Sequence, residues 1–67
     1  LTIAFYRRAR GLTQSELAEA VQISRTHMSN IEAPNTKTSI SLNLLFDIAE
    51  ALDIPVKELF DFQGRSL

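Results

Sequence analysis

Apolar residues recur along this chain at steps of three and four, not two, so the pattern predicts helices and no strand. A first helix is expected over residues 2–10. There Ile3 and Tyr6 share a face ahead of the polar run Arg7, Arg8 and Arg10, and Gly11 ends the element. Thr13-Gln14-Ser15-Glu16 has the form of a capping box and starts a second helix at Gln14. Its inward face is Leu17, Ala18 and Val21, and it ends near Ala20 or Val21. Ser24 caps a third helix, running from Arg25 to about Glu32. Residues 33–40 read as a loop. Ser41 caps a fourth helix over 42–52, where Leu42, Leu45, Ile48, Ala49 and Leu52 form the strongest amphipathic stripe and are assigned to the core. Pro55 opens a last short helix carrying Val56, Leu59 and an inward Phe60. The expected fold is all-α, a compact five-helix domain.

The second and third helices are separated by a very short turn, with apolar Ile23 inside it. Two short helices joined in this way, with facing inner residues Leu17, Ala18, Val21 and Met28, Ile31, form a helix-turn-helix arrangement. On the third helix Met28 and Ile31 point inward. Thr26, Ser29 and Asn30 lie opposite them, Arg25 flanks that polar face, and His27 sits on the border. Arg can bond guanine bidentately, Asn can bond adenine bidentately, and Thr suits either a polar base edge or the thymine methyl. The same residues could also form an ordinary solvated face. Their place on the second helix of such a pair favours base contact.

Length and composition limit what else the chain can be. Sixty-seven residues make one domain, and the 45% apolar content suits a packed core over a disordered chain. With no cysteine there is no disulfide framework, no thiolate zinc site and no cysteine nucleophile. A lone His27 cannot build a multi-histidine metal site, and no phosphate-binding glycine loop is present. Neither an enzyme, a metal nor a cofactor is therefore expected. No apolar run approaches the roughly 18 residues of a membrane span, and no signal peptide is visible, so a cytoplasmic location is expected.

The net charge of −1 at first counts against nucleic acid, because affinity for phosphate needs positive charge. The charge is unevenly divided, however. Residues 1–40 carry Arg7, Arg8, Arg10, Arg25 and Lys37 against Glu16, Glu19 and Glu32. Residues 41–67 carry only Lys57 and Arg65 against Asp47, Glu50, Asp53, Glu58 and Asp61. The basic excess falls on the half that holds the helix pair.

The run LTQSELAEAVQISRTHMSNIE, followed by SLNLLFDIAEALDIPVKELF, resembles the Cro/repressor-type (XRE) helix-turn-helix family. The likeness covers about residues 3–60. It rests on an ordered set: LTQ-x-x-LA, an apolar residue before Ser-Arg, Ile-Glu, then a helix of the form L-x-x-(apolar)-x-x-(apolar)-A. The resemblance implies a five-helix domain of prokaryotic or phage origin. It also implies that the domain binds double-stranded DNA with its third helix, commonly as a homodimer on a palindromic site.

Residue roles follow from the same resemblance. Arg25, Thr26 and Asn30, with Ser29, match base-contacting positions. Gln14 and Lys37, with His27, match positions that meet backbone phosphates. Arg7 and Glu32 match a pair that forms a structural salt bridge. Family dimers often use the last two helices, which makes Leu44, Phe46 and Phe62 the candidate dimer residues. Phe5, Phe46 and Phe62 all fall at or off the edge of the inward faces, so they suit either satellite packing or self-association. Three positions depart from the family. Gln22 stands where the turn usually has Gly, which costs roughly 1 kcal/mol if the backbone there is left-handed. The 33–40 loop is longer than usual, with Lys37 its one basic residue, and Pro55 replaces the usual cap of the fifth helix. The competing reading is a small helical protein-interaction module, or an antitoxin-type partner, with the fold but a reduced DNA role.

Overall fold

The computed structural model describes residues 2–33 and 40–60. It contains α1 (Thr2–Ala9), α2 (Gln14–Ala20), α3 (Arg25–Glu32) and α4 (Leu42–Leu52), followed by a 3₁₀ helix, Val56–Phe60. No strand occurs among the described residues. The expected fifth α-helix is thus corrected to a 3₁₀ segment. Capping supplies the physical reason. α2, α3 and α4 each begin at a hydroxyl that accepts a first-turn N–H: Thr13 from Glu16, Ser24 from His27 and Ser41 from Leu44, all at 3.0 Å. Pro55 has no such acceptor. Its carbonyl instead takes the Glu58 N–H at 3.0 Å, an i to i+3 bond that closes the tighter helix.

Three of the α-helices end alike. The backbone turns left-handed at Gly11 (φ 74°), Gln22 (φ 64°) and Asp53 (φ 58°). The next residue's N–H then reaches back into the helix: Leu12 to the Arg7 carbonyl at 3.1 Å, Ile23 to Ala18 at 2.9 Å, Ile54 to Ala49 at 3.1 Å. This is the Schellman arrangement, and its apolar residue after the turn packs against the helix just ended. Leu12, Ile23 and Ile54 accordingly lie against the core. Only Gly11 adopts this geometry without a steric cost. Gln22 and Asp53 each carry roughly 1 kcal/mol of strain, which the plugs behind them offset.

Leu17, Met28, Ile48 and Leu52 are fully buried, so the centre of the core is shared by α2, α3 and α4. α2 packs chiefly against α3, and α4 against the 3₁₀ helix. Tyr6 Oη donates to Glu58 Oε1 at 2.7 Å and fastens α1 to the 3₁₀ helix. One member of the α4 stripe is not core: Leu42 is 59% exposed. Its angular position is right, but it lies in the first turn, where no described element covers it. The side chain of Phe60, expected inward, lies outside the described residues.

Candidate nucleic-acid interface

The α2–α3 pair is built from the inside out. Leu17 and Ala18 of α2 and Met28 of α3 are buried against one another and against α4. The turn between them is held by the Gln22 backbone, the Ile23 plug and the Ser24 cap. That leaves α3 one free side. Arg25, Thr26 and Asn30 are exposed there, while His27 and Ser29 are half-buried. These five residues therefore share one element, and three of them are exposed on it. Lys37 lies outside the described residues.

The polar joint behind this surface couples three elements. Arg7 of α1 meets Glu32 at the end of α3 through two parallel bonds, Nε to Oε2 at 2.8 Å and Nη2 to Oε1 at 3.1 Å. Both side chains are buried, at 9% and 5% exposure. Arg7 Nη1 donates to the Leu12 carbonyl at 2.8 Å, so the same guanidinium also holds the chain just past α1. Gln14, the first residue of α2, donates from Nε2 to Glu32 Oε1 at 2.9 Å. Burial alone would raise the Glu32 pKa. The hydrogen bonds from Arg7 and Gln14, with the charges of Arg7 and Arg8, outweigh burial and hold it below its ordinary value of 4.5.

Gln14, expected at a backbone phosphate, is half-buried at the start of α2. Glu16 Oε1 already accepts the Thr13 N–H at 2.8 Å, so a carboxylate occupies the start of α2. The spacing of the sequence carried no signal for the Gln14–Glu32 bond or the Tyr6–Glu58 bond, since both join residues far apart along the chain.

The candidate self-association residues are divided. Phe46 is 48% exposed, Leu44 is half-buried against the core, and Phe62 lies outside the described residues. Leu42, one turn before Phe46, extends the apolar strip, and Phe5 of α1 is 63% exposed. The described residues contain no cluster able to hold a metal ion. None of their helices is long and apolar enough to cross a membrane.

Comparison with known proteins agrees with this geometry. The helix-turn-helix family profile matches residues 3–59. The HTH-type transcriptional regulator SinR of Bacillus subtilis (strain 168) is 36% identical over 56 residues, covering 84% of this chain and 50% of SinR. The chain thus spans about half the length of the curated relative it matches.

Proposed function

This chain belongs to the Cro/repressor-type (XRE) helix-turn-helix family, and from that premise we propose that it is a DNA-binding transcriptional regulator recognising a palindromic operator as a homodimer. One observation carries the reading: α3 is seated on α2 by its buried side while Arg25, Thr26 and Asn30 stand exposed on the other. Such a helix fits the major groove, where those side chains meet base edges. Ser29 supplements them. Gln14, Lys37 and His27 hold phosphates and set the register, which carries no sequence information by itself. Two copies of α3 in successive major grooves sit about 34 Å apart, and the dimer regulates by covering the promoter.

The net charge supports a particular balance of forces. With a modest basic excess on the DNA side, non-specific binding is weak, and affinity rests on base contacts and on dimer formation. Leu42 and Phe46 are the exposed apolar pair that suits a second copy. Sedimentation velocity with and without operator DNA tests this, and a monomer at high micromolar concentration in both would exclude the dimer.

Selection from a random duplex pool, followed by salt titration of the winner, tests the whole reading. An enriched palindrome with a negative salt slope is expected. The interaction-module reading draws on the acidic second half and the same exposed Leu42 and Phe46. Recovery of no sequence and no salt dependence would replace the DNA reading with it.

A further inference from the structure

Glu32 is more than one half of a buried ion pair. A carboxylate accepts hydrogen bonds and donates none, so the amide facing it must present its NH₂ side. Glu32 Oε1 takes one Gln14 proton at 2.9 Å, and Arg7 holds that carboxylate through two bonds of its own. This bond to Glu32 is the one hydrogen bond of the Gln14 side chain among the described residues. A free glutamine would lose rotamer freedom on gripping a phosphate and could offer its carbonyl, which repels one. In this structure both the rotamer and the amide orientation are already chosen.

We propose that Glu32 is a positioning residue for DNA binding: it orients the Gln14 amide so that the second amide proton is left for a backbone phosphate. This rests on the reading of Gln14 as a phosphate contact. Arg7 contributes by keeping the carboxylate in place, and the chain of bonds runs Arg7, Glu32, Gln14, phosphate. Pre-orientation lowers the entropy that binding would otherwise cost.

A double-mutant cycle in the full chain, using a duplex selected by the wild type, tests the idea. Removing Glu32 alone strands Arg7, so the comparison background is Arg7→Met with Glu32→Leu, an apolar exchange of a kind that proteins often tolerate. Gln14→Ala is expected to weaken binding about tenfold in the wild type and about twofold or less in the apolar background. An equal loss in both backgrounds would overturn the role of Glu32 while leaving the phosphate reading intact. No loss in the wild type would overturn the phosphate reading, and this inference with it. Should the apolar background fail to fold, the wild type still decides. The two Gln14 side-chain amide protons are expected to differ by NMR, one protected in the free protein and unmoved by DNA, the other shifting when DNA is added. Equal, unprotected protons would overturn the proposal.

Discussion

The α1–α3 half and the α4 half of this domain are held together by different physics. The first is tied across its elements by directional polar contacts, the bidentate Arg7–Glu32 pair and the Gln14 amide. The second is held by aliphatic packing of Leu45, Ile48, Ala49 and Leu52, with a 3₁₀ segment laid against it. Their surfaces differ in the same sense. The first presents Arg25, Thr26 and Asn30, whereas the second leaves Leu42 and Phe46 uncovered among acidic residues. A helix that must reach base edges at fixed geometry needs orientation as well as burial. Apolar contacts have no direction, so polar contacts supply it.

The sharpest way to break this contrast is Glu32→Ala. It strands the buried Arg7 guanidinium and should cost about 3–5 kcal/mol of stability, measured by urea unfolding. That is a large share of what so small a domain has. A loss below about 1 kcal/mol would mean that the first half is held by packing like the second.

Acid should find the same joint. The pKa of Glu32 is lower in the folded chain than its ordinary 4.5. Its stabilisation is therefore complete above 4.5 and lost as pH falls through the lowered folded value. The melting temperature is expected to fall in that acid range for the wild type. The fall should be smaller for the Arg7→Met, Glu32→Leu variant, and identical acid profiles would remove Glu32 from the explanation.

At the exposed face, Asn30→Ala should cost about 1–3 kcal/mol of operator affinity and relax the preference at one base pair. An unchanged selected sequence would take Asn30 out of base readout. The smallest effect is expected in the turn. Gln22→Gly removes left-handed strain at φ 64° and should change stability by about 1 kcal/mol or less. Glycine's greater freedom in the unfolded chain opposes the gain. Operator affinity is expected to stay the same, because the Ile23 and Ser24 backbone contacts on either side of the turn are kept. A large loss of affinity would show that the Gln22 side chain sets the orientation of α3.

Some of this was legible locally. Thr13, Ser24 and Ser41 announce helix starts because a cap is a contact between residues three apart. Gly11 announces an end because only glycine turns left-handed without cost. Asp53 adopts the same turn with no glycine to signal it, and Gln22 is flagged only by the resemblance, whose turn usually has Gly there; Ile23 and Ile54 pack behind the two turns. Leu42 misleads for another reason: periodicity reports the angle around a helix axis and is silent on where along that axis the neighbours stop.

By itself, then, the sequence determined an all-α chain, the starts of α2, α3 and α4, and a third helix with one apolar and one polar side. These are consequences of short-range spacing. Tertiary structure alone decided that Leu42 is left uncovered and that Gln14 turns its amide to Glu32. Each of those outcomes depends on whether a distant element supplies a partner or a covering surface, and neither charge nor periodicity along the chain encodes that distance.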